Sequence, residues 1–274
     1  MRAARRGRRK RFSFERALQK RLPPCEAPLL ENPPGLHLDT TITMKDRLIP
    51  GRQARAALLA LLLASALCVA MVAARSIYAR NFKFLWIIWN LFLAWIPLLT
   101  AMPLYVLRAR GARRPALSGV LAVLWLLFFP NAPYIVTDFV HLIERPPVPF
   151  WFDMITILAF GLTGLFLGYL SLYLMQELVR SMTGRWTSWA FAFGMLALGS
   201  FGIYLGRFVR WNSWDVLLSP VGTLRSTARM ILPVPSPQLL GFSVTFFAFS
   251  LVCYLIVYSF THLHAWVERT PPQP

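Results

Sequence analysis

Two short polar stretches hold most of the groups in this chain that could do chemistry. The first reads Pro130-Asn131-Ala132-Pro133-Tyr134-Ile135-Val136-Thr137-Asp138-Phe139-Val140-His141, with Asp153 not far beyond it. The second gathers Arg207, Arg210, Trp211, Asn212, Ser213, Trp214 and Asp215. Asn131, Tyr134, Asp138, His141, Asp153, Arg207, Arg210, Asn212 and Asp215 make up the candidate polar cluster. Asp138 and His141 are three residues apart, so in a helix they share a face. They could serve as acid and base, or hold a divalent ion with Asp153 or Asp215. The plainer reading has His141 hydrogen-bonded to a carboxylate at a membrane surface. Arg207 and Arg210 have the same spacing and could grip a phosphate or carboxylate. Their plainer role is ion pairing with Asp138, Asp153 or Asp215, together with contact to lipid headgroups.

The elements that must position these groups are apolar runs. The chain is 57% hydrophobic, with a mean hydropathy of +0.52, and the excess comes in long blocks where a soluble chain would alternate. A helix of roughly 20 apolar residues matches a hydrocarbon layer about 30 Å thick. Runs at Ala56–Ala74, Phe84–Leu107, about Ala116–Phe129, Met154–Leu174, Trp189–Leu205 and Leu239–Phe260 meet or approach that length. The expected fold is therefore all-α, a polytopic transmembrane helical bundle of about six spans over residues 56–262. A basic, disordered tail is expected over residues 1–55, and a short polar tail over 263–274.

Local features refine this picture. The first run follows a basic stretch like the front of a signal peptide, but Val72-Ala73-Ala74 lacks a clear cleavage pattern, so it reads as a retained span. Pro97 and Pro103 lie inside the second span and could kink it. The third is short unless its continuation through Pro130 and Pro133 also lies within the membrane. Gly161, Gly164, Gly168 and Ser171 recur on one face of the fourth span, and Gly202 and Gly206 near the end of the fifth, a pattern that lets another helix approach closely. Asn90 is expected to hydrogen-bond a neighbouring helix, and Trp211 and Trp214 suit an interfacial belt.

The formal net charge is +18. Residues Met1–Arg55 carry 14 of the 29 Lys and Arg, and most of the others sit at the ends of apolar runs. That distribution points to anionic headgroups rather than nucleic acid. Six spans put both termini on one side. Arg108, Arg110, Arg113, Arg114, Arg180 and Arg185, with the basic N-terminal flank, assign that side to the cytoplasm. Lys45, Arg47, Arg52 and Arg55 after Met44 look like a natural basic start, so Met44 is expected as the initiator. Cys68 and Cys253 lie in apolar runs and Cys25 in the tail, so no disulfide framework or zinc site is expected. Cofactor and metal are both expected to be none, and no Gly-x-Ser-x-Gly, Walker loop or His-Glu-x-x-His occurs.

Three ordered motifs carry a resemblance. They are Trp89-Asn90-Leu91-Phe92-Leu93-Ala94-Trp95-Ile96-Pro97, then Phe129-Pro130-Asn131-Ala132-Pro133-Tyr134 with Asp138 and His141, then Ser200-Phe201-Gly202-Ile203-Tyr204-Leu205-Gly206-Arg207-Phe208 with Arg210-Trp211-Asn212-Ser213-Trp214-Asp215. Over about Phe84–Phe260 the chain resembles the bacterial membrane family called domain of unknown function 1361. The resemblance implies a multi-pass protein of the bacterial cytoplasmic membrane. It implies no activity, substrate or catalytic residue.

Three kinds of function remain open on these residues. One is surface chemistry or binding on an anionic or lipid-linked substrate, which requires the two polar stretches to meet. A transporter or permease would instead need a polar path reaching mid-membrane at Asn90. In a structural or assembly subunit, the cluster would lock spans together and the glycine seams would receive another helix.

Overall fold

The computed structural model describes residues 52–112, 114–143, 147–210, 222 and 236–267. The expectations about Met44 and Cys25, the disorder of residues 1–51, and Trp211, Asn212, Trp214 and Asp215 lie outside the described residues. Among the described residues the chain is helical: α1 (Arg52–Ala79), α2 (Leu85–Ala109), α3 (Pro115–Phe128), α4 (Asn131–Tyr134), a 3₁₀ segment (Ile135–His141), α5 (Phe150–Thr183), α6 (Arg185–Tyr204), a π turn (Leu205–Val209) and α7 (Pro237–Val267). Six stretches are long and apolar enough to cross a bilayer: Ala54–Ala79, Leu85–Ala109, Pro115–His141, Phe150–Thr183, Arg185–Val209 and Pro237–His262. The described residues form a polytopic helical bundle of six spans. Leu63, Ile77, Val120 and Val244 are well exposed, as side chains facing acyl chains must be when no water-shielding layer covers them.

The third span settles a question of length. Fourteen residues of α3 reach only about 21 Å at 1.5 Å per residue, short of the hydrocarbon thickness. The chain does not stop at Pro130. Phe129 and Pro130 keep right-handed helical torsions, and α4 and the 3₁₀ segment carry the span to His141. Prolines 130 and 133 lack the N–H that an α-helix needs, so the ladder is repaired locally. Ala132 N–H donates to Phe129 O at 3.3 Å, one residue short of the α-helical register. That leaves Phe128 O, which accepts from Asn131 Nδ2 at 3.2 Å. Pro97 and Pro103, by contrast, sit inside α2 without ending it.

Helix α5 is the centre of the bundle and packs against α1, α2, α4, the 3₁₀ segment, α6 and α7. Its glycines explain how the broken span gets so close. A Cβ on Gly164 would lie 2.5 Å from Ala132 O, and one on Gly168 would lie 3.0 Å from Ala132 Cβ and 3.3 Å from Pro133 Cδ. On α6, a Cβ on Gly199 would meet Phe129 Cε1 at 3.1 Å, and one on Gly202 would meet Pro130 Cγ at 3.2 Å. The close approach expected of the glycine pattern is thus made by the irregular piece of the third span, which lies between the two glycine faces.

Side-chain bonds pin the remaining spans. Trp95 Nε1 donates to Ser65 Oγ at 3.1 Å, joining α2 to α1, and Trp125 Nε1 donates to Ser171 Oγ at 3.3 Å, joining α3 to α5. Tyr254 Oη donates to Gln176 Oε1, joining α7 to α5. Gly184, with φ of 97°, is all that separates α5 from α6, a torsion that a Cβ would disfavour.

The glycine contacts yield a paired expectation. Gly164→Ala forces a methyl against a backbone oxygen and should lower stability by about 1–3 kcal/mol through overpacking. Gly194→Ala, where nothing lies within 4 Å, should be neutral or stabilising by up to about 1 kcal/mol from helix propensity. Thermal unfolding of the two variants in one detergent checks the sign of each.

Candidate functional site

Alternation of the six spans brings the end of α1, the start of α2, the end of the 3₁₀ segment, the start of α5 and the π turn to one membrane face. Both polar stretches reach this face, and Arg207 joins them. Its Nη2 donates to Asp138 Oδ1 and to Thr137 Oγ1 at 2.7 Å. Its Nε donates to Thr137 Oγ1 at 3.0 Å, and its Nη1 to His141 Nε2 at 3.0 Å. The guanidinium carbon also stands 4.5 Å from the centre of the Tyr134 ring, within cation–π range. Asp138 is fully buried and takes a further bond on Oδ2 from Asn90 Nδ2 of α2, at 3.0 Å.

The local backbone explains this convergence. In a 3₁₀ helix, residues three apart eclipse one another, which stacks His141 over Asp138 on the side that Arg207 approaches. Thr137 is oriented by donating its hydroxyl to Tyr134 O at 2.7 Å, leaving its lone pairs for the guanidinium. The π turn at Leu205–Val209 widens the end of α6 where Arg207 leaves it. A guanidinium only donates, so Nε2 of His141 must accept. The His141 ring also meets Trp86 of α2 edge-on, with centroids 5.0 Å apart.

A second buried ion pair lies at the same face. Arg75 of α1 grips Asp153 of α5 through both carboxylate oxygens, Nε to Oδ1 at 2.7 Å and Nη2 to Oδ2 at 3.0 Å. The two side chains are 1% and 3% exposed, so each charge relies on the other rather than on water. Arg75 Nη1 also donates to Asn81 Oδ1 at 3.3 Å, and its guanidinium lies 3.8 Å over the Phe84 ring.

The candidate residues therefore divide. Asp138, His141, Tyr134 and Arg207 come together. Asn131 holds the carbonyl of Phe128, and Asp153 belongs to the Arg75 pair. Arg210 is exposed and takes left-handed torsions, φ 61° and ψ 35°, so the helical face expected to align it with Arg207 ends before it. Asn212 and Asp215 lie outside the described residues. Among the described residues no three His, Cys, Asp or Glu side chains gather as metal ligands would.

Sequence reasoning missed Arg75, Asn81, Thr137 and Trp86. The signal for Arg75 was present: Ser76-Ile77-Tyr78-Ala79 continues the helix beyond it, and a cation inside a span needs a partner.

Removing one member of a buried pair strands the other. Arg207→Met should cost about 3–5 kcal/mol, and Arg207→Met with Asp138→Leu should recover most of that loss. Chemical unfolding of both variants in mixed micelles checks the difference.

A family model described as a protein of unknown function (DUF1361) matches residues 89–253. No curated protein and no solved structure matches the chain. The match takes in the second to fifth spans, both polar stretches and most of α7, so the chain belongs to the DUF1361 family.

Proposed function

We propose that this integral membrane protein acts at one membrane face, where the cluster around Arg207, Asp138 and His141 receives the anionic group of a lipid or lipid-linked substrate. The observation that carries this reading is the junction of the two polar stretches through Arg207, with Asn90 contributed by a third span. Charge at the rim favours an anion. Arg80, Lys83 and Arg210 are exposed there, whereas Asp138 and Asp153, the described acids at this face, are buried and paired. His141 is exposed, and an imidazole there can act as acid or base.

Depth favours surface action over transport. Asn90 is the sixth residue of α2, about 7.5 Å along a helix of 25 residues, so its bond to Asp138 lies well short of the midplane, where transporters place their sites. In this proposal the bundle sits in a bacterial cytoplasmic membrane with both termini cytoplasmic, and the cluster faces the other side. Exposed Arg108, Arg110, Arg114 and Arg185 at the termini side support that orientation.

A second reading has its own support. Arg207 directs Nε, Nη1 and Nη2 to groups of its own chain, as a residue would whose role is to lock the broken span to α6. A thermal-shift screen in detergent separates the two, using inorganic phosphate, lipid phosphates and small carboxylates on the wild type, Asp138→Asn, His141→Gln and Arg210→Gln. Binding predicts that one of these anions raises the wild-type midpoint, while His141→Gln and Arg210→Gln remain folded and lose the response. A silent wild type with lowered variant midpoints assigns the cluster to structure.

A further inference from the structure

The two buried ion pairs at this face are bridged by aromatic rings. Arg75 lies over Phe84 at 3.8 Å. The Phe84 ring stands 6.5 Å from that of Trp86, and Trp86 meets the edge of His141 at 5.0 Å. His141 in turn accepts from Arg207, which holds Asp138. Phe84 is buried, so it cannot shift without disturbing its neighbours, since a close-packed interior has little free volume to absorb the change. Arg75 also fixes the α1–α2 turn through Asn81, and Asn81 Oδ1 accepts from the backbone N–H of Lys83 at 3.4 Å. The turn delivers α2, and α2 carries both Trp86 and Asn90 to the cluster.

We propose that Arg75 is a positioning residue for the His141–Arg207 site: paired with Asp153, it holds the Phe84–Trp86 bridge so that Trp86 sets the orientation of the His141 ring. This rests on the reading of that cluster as a binding site, but its mechanical part can be tested without a ligand. The influence of Arg75 on the ring passes through the bridge, through the α1–α2 turn held by Asn81, or through α5.

The experiment uses the full chain in detergent with ¹⁵N-labelled histidine. The four histidines are His37, His141, His262 and His264, and His141→Gln identifies the relevant line. One variant neutralises the pair in place, Arg75→Gln with Asp153→Asn. Another, Phe84→Leu, cuts the bridge and leaves the pair intact. The expected result is a displaced His141 ring resonance in both folded variants, with His262 unmoved, and loss of any midpoint rise that inorganic phosphate gives the wild type. An unmoved His141 line in either folded variant overturns the proposal, because it means that the pair, or the bridge, does not set the ring. If phosphate leaves the wild type unaffected, the binding role fails separately, and the His141 line still decides whether Arg75 positions that residue.

Discussion

A carboxylate carried within a turn of the end of a membrane span has to be neutralised by its own protein, because stranding a charge there costs several kcal/mol. Asp138 meets that need with a cation from α6 and an amide from α2. The consequence is geometric. Three spans must end at the same height and face inward at the same point, and the broken third span must present Asp138 rather than a lipid-facing neighbour. Switching to 3₁₀ geometry accomplishes this by re-aiming the last seven residues of the span, and the π turn opposite does the same for Arg207.

The glycines of α5 and α6 serve the same end. An irregular segment with two prolines has backbone groups that cannot be left to lipid, so it must lie deep in protein. Gly164, Gly168, Gly199 and Gly202 make room for it, and the closest approach is to the carbonyl of Ala132. Packing and polarity are therefore not separate features here. The notch that receives Ala132 and Pro133 is also what holds Asp138 within reach of Arg207.

Much of this was legible in the sequence. Six apolar runs give six spans because hydrocarbon thickness fixes the length of a crossing helix, and alternating topology puts the two polar stretches at one face without deciding whether they touch. Asn90 could be read as an inter-helix donor because an amide inside a span has few other uses. The identity of partners was not legible. The sequence offered Asp153 to Arg207 or Arg210, and only the packing of α1 on α5 selects Arg75. The shared face of Arg207 and Arg210 was a sound inference from ideal helical spacing, but it failed where the helix widened and ended, a change that no residue pattern announced. The role of Asn131 depended on a carbonyl orphaned by a one-residue shift in the ladder.

The length of α5 has a consequence of its own. At 34 residues it is about 51 Å long, against a hydrocarbon layer of about 30 Å, and even a 40° tilt, the upper end of what spans adopt, leaves roughly 9 Å in excess. Asp153 anchors its first turn, so the surplus emerges at the other end, where Glu177 and Arg180 pair at 3.1 Å and Gly184 turns the chain. The α5–α6 elbow, at the face opposite the Arg207 cluster, therefore stands clear of the hydrocarbon layer as a stiff post.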